Sequence, residues 1–203
     1  MSILSESAKR KYEKYGKLYA ESLNHELLDG KIYLMSPRPS FKHDAVAFSL
    51  RRILDRHLKG KKCKVIGEVD VYLSKKDRPI PDVMIVCDPK IIKPNGIFGA
   101  PDLVVEILSK SSAKKDRGYK KLLYEKYGVK EYWLVDLDGE SIEVYHLKDE
   151  KYVYAGTYVA PDEDLPQEMK DALRSTFSVS IFDDLTIDLA EIFEDNFVFE
   201  DED

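Results

Sequence analysis

The chain has 203 residues, of which 43% are hydrophobic and 34% are charged, and this composition is ordinary for one globular domain with a buried core. Its first residues lack the apolar stretch of a secretory signal, and no run approaches the length of a membrane span. We therefore expect a cytoplasmic protein with no membrane partner. The two cysteines, Cys63 and Cys87, lack a metal-ligand spacing, and a disulfide framework is not expected in a chain of this size.

The net charge of −6 is unevenly distributed along the chain. Residues 183–203 contain ten acidic residues and no lysine or arginine, which leaves 32 basic and 28 acidic residues before them. We predict a single domain over 1–182, with its core at 24–160, followed by an acidic C-terminal segment. An acidic tail on a mildly basic body fits a nucleic-acid enzyme, and it fits equally a body with no such partner.

The first half of the chain begins with a basic, amphipathic segment at 6–23 that predicts a helix. A hairpin is predicted at 26–35 because Asp29-Gly30 is a favoured tight-turn pair. The elements predicted after it are a helix at 43–58 and strands at 64–73, 82–87 and 102–108.

The second half continues with a helix near 115–127, which Gly128 ends. Strands at 131–135 and 142–147 are predicted to join at Asp138-Gly139, and an edge strand follows at 152–159. A last short strand or turn is expected around 177–182. This order of elements predicts an α/β domain with a mixed β-sheet core flanked by helices.

One glutamate stands inside an otherwise apolar strand. A carboxylate such as that of Glu106 is costly to bury unless it is paired or bound to a cation. Asp102 is on the same face of the strand but about 13 Å away, at roughly 3.3 Å per residue. If the strands at 82–87 and 102–108 pair antiparallel, with residue numbers that sum to 188, Asp82 lies opposite Glu106. A divalent cation between these two carboxylates is the economical solution, and oxygen ligands favour magnesium or manganese over zinc.

The helix that follows this strand supplies a third charged group. Its apolar residues are predicted to pack on the sheet as one arc: Tyr119, Leu122, Leu123 and Tyr127. This arc places Lys120 near the sheet and Lys121 in solvent. Asp116 and Tyr124 flank Lys120 at one-turn spacing, so the three residues form an inward stripe.

Two acids and a lysine in this arrangement resemble the PD-(D/E)XK nuclease superfamily. More specifically, the chain resembles a bacterial family of restriction-endonuclease-like proteins. The stretches that carry the resemblance are 26–30, 35–37 with His43, 81–82, 101–109, the Asp116, Lys120 and Tyr124 stripe, 128–129 and 131–136. They cover about residues 24 to 147. The superfamily pattern has a lysine two residues after the glutamate, where this chain has Leu108. The resemblance implies that Lys120 takes its place from the helix.

The resemblance implies a restriction-endonuclease-like fold and magnesium-dependent hydrolysis of phosphodiester bonds in DNA. Asp82, Glu106 and the backbone carbonyl of Ile107 would hold magnesium, or manganese in its place. Lys120 would orient the attacking water or neutralise developing charge. The supporting positions that the resemblance suggests are Glu26, His43, Asp102 and Tyr124. A homodimer is expected, since nuclease folds that cut both strands often pair.

Other interpretations remain open at this point. Glu106 could form a purely structural ion pair with Lys120, and for Asp102 we favour a role in ending a turn before the strand. Leu108 and the acidic tail suggest a non-catalytic DNA-binding or protein-interaction module as the alternative function. A hydrolase of another substrate, with paired acids as general acid and base, is a third possibility that an inward Lys120 disfavours.

Overall fold

The computed structural model describes residues 25–35, 38–162 and 164–193. The helix predicted at 6–23 lies outside the described residues, as does the end of the acidic tail at 194–203. The strands, in chain order, are β1 (His25–Leu28), β2 (Lys31–Leu34), β3 (Lys64–Ile66), β4 (Val83–Val86), β5 (Ile92–Lys93), β6 (Gly96–Ile97), β7 (Leu103–Ile107), β8 (Glu131–Asp136), β9 (Ser141–Lys148), β10 (Lys151–Val159), β11 (Thr176–Ser178) and β12 (Thr186–Asp188). The helices are α1 (Phe41–Leu58), α2 (Ala113–Lys115), α3 (Lys121–Lys126), α4 (Gln167–Ala172) and α5 (Ala190–Phe193). A π-helical segment, Asp116–Lys120, joins α2 to α3, and a 3₁₀ turn covers Pro89–Ile91.

The central sheet has six strands in the order β10-β9-β8-β7-β4-β3. Its neighbours pair antiparallel except β7 and β8, which are parallel. Parallel strands need a crossover, and α2, the π-helical segment and α3 supply it between β7 and β8. The predicted α/β architecture, a mixed sheet flanked by helices, is confirmed.

The two faces of this sheet support separate apolar cores. Helix α1 begins after Ser40, whose side chain accepts a hydrogen bond from the His43 backbone N–H, and it packs on one face. Tyr124 of α3 packs on the other face with Met84 and Val104. Because side chains alternate along a strand, neighbouring residues of β4 and β7 belong to different cores.

The hairpin of β1 and β2 is confirmed at the predicted turn. Asp29 and Gly30 have φ values of 51° and 72°, the positive pair that a tight hairpin turn of this kind requires. The second predicted hairpin, between β8 and β9, also forms, but its connection spans 137–140. The positive φ there belongs to Glu140, at 41°, and Gly139 does not adopt it.

The prediction of one long strand at 64–73 is wrong, because β3 ends at Ile66. The backbone passes so close to the start of β4 that a Cβ on Gly67 would lie 2.7 Å from the carbonyl oxygen of Asp82. The next residue, Glu68, has a φ of 52°, which turns the chain away from the sheet. Further on, Val71 makes only an isolated bridge to Ile97.

The expectation for the cysteines is also wrong, because Cys63 and Cys87 form a disulfide. Lys64 of β3 pairs with Val86 of β4, so the residues just outside this pair lie opposite each other. The disulfide therefore closes the end of an antiparallel strand pair.

The acidic segment predicted to follow residue 182 contains regular structure as far as the structure describes it, to residue 193. Strand β12 pairs with β11, and helix α5 follows it. The apolar residues between the acids are buried in the same core as α1: Leu185, Ile187, Leu189, Ile192 and Phe193. The described part of the acidic segment thus belongs to the domain. Among the described residues, no helix is long and apolar enough to cross a membrane.

The arc predicted for the helix after β7 is rotated in the structure. Leu122 is 62% exposed and Tyr119 is 39% exposed, whereas Leu123 and Tyr124 are buried. The π-helical segment before α3 explains the difference, since its wider turn changes the phase of the residues that follow. Lys120 is buried at the end of that segment.

Candidate functional site

The pairing of β4 with β7 places two carboxylates together. Val83 lies opposite Val105, and Met84 lies opposite Val104, so paired residue numbers sum to 188 as predicted. This register, continued by one residue, sets Asp82 opposite Glu106. Val83 and Val105, the next residues along the two strands, belong to the core beneath α1. Because side chains alternate along a strand, Asp82 and Glu106 are expected on the opposite face, which α3 covers.

Glu106 is buried and hydrogen-bonded through one carboxylate oxygen. Its Oε1 accepts hydrogen bonds from Lys120 Nζ at 2.9 Å and from Tyr124 OH at 2.7 Å. Burial raises the pKa of Glu106 well above its usual value; Lys120 opposes this shift, and the nearby carboxylates of Asp116, Asp82 and Glu26 add to it. Glu106 therefore contacts Lys120 and Tyr124, and the charge of Asp82 is close enough to raise the pKa of Glu106.

Lys120 serves three carboxylates at once. Besides Glu106, its ammonium lies 2.6 Å from Glu26 Oε1 and 3.5 Å from Asp116 Oδ1. Its side chain is only 4% exposed. Burial alone would lower the pKa of Lys120, but Glu106, Glu26 and Asp116 together raise it, so the amine stays charged.

Glu26 lies on β1 and connects the first hairpin to this cluster. Its Oε1 also accepts a hydrogen bond from the Ile80 backbone N–H at 3.1 Å, and its Oε2 contacts Lys115 Nζ at 2.8 Å. Burial would raise the pKa of Glu26, yet Lys120 and Lys115 lower it overall. The side chain is thus an ionised bridge between two lysines.

The side chain of Asp82 binds the backbone at the end of β7. Its Oδ2 accepts a hydrogen bond from the Ile107 backbone N–H at 2.7 Å, and its Oδ1 lies 3.4 Å from His43 Nε2. Burial would lower the pKa of His43, but the hydrogen bond and the charge of Asp82 raise it overall. His43 therefore pairs with Asp82, and its Nδ1 is buried without a hydrogen-bond partner.

One cavity of about 860 Å³ is lined by most of these groups, namely Glu26, His43, Asp82, Glu106, Lys115 and Lys120. Its wall includes β2, the segment after β7, the start of the following helix and the connection between β8 and β9. The acidic lining residues are Glu26, Glu68, Asp82, Glu106, Asp136 and Asp138. The basic ones are Arg38, Lys110, Lys115, Arg117 and Lys120. The cavity is thus a polar cleft of mixed charge with a carboxylate cluster in its wall.

Asp102 is the predicted site residue that the structure places elsewhere. Its Oδ2 accepts a hydrogen bond from the Cys87 backbone N–H at 2.7 Å, and its Oδ1 pairs with Lys130 at 2.7 Å. It stands at the opposite end of β7 from Glu106 and does not line the cavity. Asp102 therefore ties neighbouring segments together at that end of β7.

The described residues contain no group of three or more histidine, cysteine, aspartate or glutamate side chains arranged to hold a metal ion. Magnesium, however, often takes only one or two carboxylates and keeps several waters. Four carboxyl groups, Glu26, Asp82, Glu106 and Asp116, meet two lysines and His43, and burial raises the pKa of both Glu106 and Asp116. A divalent cation bound nearby would lower both pKa values and favour the charged carboxylates, so the residues present fit such an ion. Asp116 Oδ1 is in addition buried without a hydrogen-bond partner.

Two residues of the cluster were absent from the predicted site. Asp116 was recognised only as a neighbour of Lys120, and Lys115 was not singled out at all. On an α-helix, residues five apart are separated by about 140° and could not reach one partner. The π-helical segment brings positions five apart into line, so Lys115 and Lys120 both reach Glu26.

Comparisons with known proteins agree with this geometry. A family model described as "Uma2: Putative restriction endonuclease" matches residues 12–179. An uncharacterised protein of Synechocystis, slr1290, is 35% identical over 130 residues, which are 62% of this chain and 67% of that protein. The crystal structure of a putative nuclease of the DUF820 group from Anabaena variabilis aligns with a TM-score of 0.62 at 20% identity, over 85% of this chain and 91% of that one. This likeness confirms the predicted nuclease-like fold.

Proposed function

Because the chain belongs to the Uma2 family, whose description is that of restriction endonucleases, we propose that it is a magnesium-dependent endonuclease acting on DNA. The reaction is hydrolysis of a phosphodiester bond in the 860 Å³ cavity. Manganese would serve in place of magnesium, since both prefer oxygen ligands.

The observation that supports this proposal most strongly is the charge of the cluster around Lys120. Three carboxylates share its single ammonium, and Asp82 adds a fourth nearby. An uncompensated buried carboxylate is costly, and a divalent cation compensates it without further protein charge.

In the proposed site, Asp82, Glu106 and the Ile107 carbonyl hold the magnesium ion. When bound there, the ion would supply Lewis-acid charge for the scissile phosphate and for the attacking water. Tyr124 and Lys120 both donate to Glu106 Oε1, so Oε2 would be the oxygen available to the ion. The Ile107 N–H donates to Asp82 Oδ2 and thereby fixes the orientation of the Asp82 carboxylate.

Lys120 acts on the phosphate rather than as a base. Its amine stays protonated because three carboxylates raise its pKa, so it cannot take a proton from water at neutral pH. A fixed ammonium beside the scissile phosphate stabilises the negative charge that develops in the transition state. His43, paired with Asp82, positions that ligand.

The direct test is cleavage of supercoiled and linear DNA by purified protein with magnesium, manganese or a chelator. Glu106→Gln keeps an acceptor for Tyr124 and should abolish cleavage without unfolding the protein. A wild-type protein that cuts no DNA with either metal across the pH range would contradict the proposal. So would equal cleavage by Glu106→Gln.

A second candidate is a non-catalytic DNA-binding or protein-interaction module on the same fold. It is favoured by Leu108, which is buried in the core where the superfamily pattern has a lysine. DNA binding that weakens with salt and is unchanged by Glu106→Gln, with no cleavage, would support it. We also propose a homodimer, since nuclease folds that cut both strands often pair, and light scattering of the purified protein would test it.

A further inference from the structure

We infer that Lys115 is a substrate-binding residue, whose ammonium contacts a phosphate of the DNA in the cavity. This inference rests on the proposed function and adds a residue to it. In the proposed function Lys120 carries the charge beside the scissile phosphate, and its burial keeps it from contacting a second phosphate of the DNA. Lys120 is 4% exposed and its ammonium is shared by Glu106, Glu26 and Asp116.

Lys115 has the position that a phosphate contact requires. It lines the cavity, and its side chain is 23% exposed, so its ammonium can reach a ligand there. The ammonium is already held in place, 2.8 Å from Glu26 Oε2 and 5.3 Å from the centre of the Tyr33 ring. A cation ordered before binding loses less conformational freedom on contact with a phosphate than a free surface lysine does.

Glu26 can share Lys115 with a substrate without being left as a bare buried charge. Its Oε1 keeps Lys120 at 2.6 Å and the Ile80 N–H at 3.1 Å, whatever Lys115 contacts. Arg117, another cation of the cavity wall, is instead held by Glu143 at 2.8 Å and faces Asp136 at 3.8 Å. Lys115 therefore combines an ordered ammonium with a partner, Glu26 Oε2, that a phosphate of the substrate can replace.

The test is binding of a short DNA duplex in calcium, which supports binding while slowing hydrolysis, over a series of salt concentrations. Lys115→Gln keeps a donor for Glu26 Oε2 and removes the charge, and Lys115→Arg keeps both. Lys114→Gln is the matched control, since Lys114 is the exposed neighbour and does not line the cavity. Loss of one phosphate contact should weaken binding about eight-fold near 0.1 M salt and reduce the salt slope by about 0.9.

We expect this loss in Lys115→Gln, recovery in Lys115→Arg and wild-type binding in Lys114→Gln. A second readout uses the unaltered protein: DNA should slow acetylation of Lys115 and leave that of Lys114 unchanged, which holds even if Lys115→Gln does not fold. Suppose that the wild type binds and cuts DNA. Equal DNA binding by Lys115→Gln and Lys114→Gln, together with acetylation of Lys115 that DNA does not slow, would then overturn this inference and leave the proposed function standing. A wild type that neither binds nor cuts would overturn the proposed function and this inference with it.

Discussion

Removal of the ammonium at the centre of the carboxylate cluster should be strongly destabilising. In Lys120→Met the chain keeps a side chain of similar length but leaves Glu26, Glu106 and Asp116 without their shared counter-charge. Breaking a buried ion pair from one side costs about 3–5 kcal/mol. Against a total stability of about 5–15 kcal/mol, this loss is a large fraction.

The cost should depend on pH in a defined direction. Lys120 lowers the pKa of both Glu26 and Glu106 in the folded protein, so its removal should raise both values. A carboxyl group whose pKa is higher in the folded than in the unfolded state stabilises the folded state at low pH, where it is protonated in both. This stabilisation is lost as the pH rises through the pKa of the folded state. The stability lost in Lys120→Met relative to the wild type should therefore grow as the pH rises through the pKa values of these carboxyls.

Urea unfolding without added metal, followed by circular dichroism at several pH values, measures this deficit. Lys121→Met is the matched control, because Lys121 is the next residue and contacts only the Tyr145 ring among its described partners, at 3.5 Å. Its loss should cost about 0.5–1 kcal/mol. A deficit below about 1 kcal/mol for Lys120→Met, or one that does not change with pH, would refute the charge-sharing account.

Three further predictions concern neighbouring groups. For a Kd of about 1 mM, about 10 mM magnesium should stabilise the wild type by about 1.4 kcal/mol and raise its Tm by about 3–6 °C. The Tm of Glu106→Gln should not respond, and an equal shift in both proteins would place the ion elsewhere. Tyr124→Phe removes a buried donor to Glu106 and should cost about 1–3 kcal/mol in urea unfolding, whereas no loss would mean that this hydrogen bond is unimportant. Asp102→Ala frees the Cys87 N–H and should cost about 1 kcal/mol without changing DNA cleavage, and lost cleavage in a folded variant would return Asp102 to the site.

The pairing of Asp82 with Glu106 could be predicted because it depends on local rules. Strand alternation and the connection between the two strands determine which residues face each other, and the register has the predicted sum. The apolar arc of the helix predicts Lys120 near the sheet, and Lys120 is buried although Tyr119 and Leu122 of that arc are exposed.

What the sequence did not reveal depends on backbone geometry or on distant packing. The π-helical turn changes the phase of the helix, which exposes Leu122 and brings Lys115 to Glu26. An α-helical period cannot anticipate this change. The apolar residues around Ile187 lie among acidic residues, and this composition is typical of an exposed tail, so it did not indicate that they pack in the core with α1.

A crystal of the protein soaked with manganese tests the central claim most directly. The account predicts one anomalous peak about 2.0–2.2 Å from a carboxylate oxygen of Asp82 and from Glu106 Oε2, with the Ile107 carbonyl as a further ligand. Lys120 should remain beside Glu106 without touching the ion. Well-ordered crystals with no peak there, or with manganese bound only to other residues, would contradict the account.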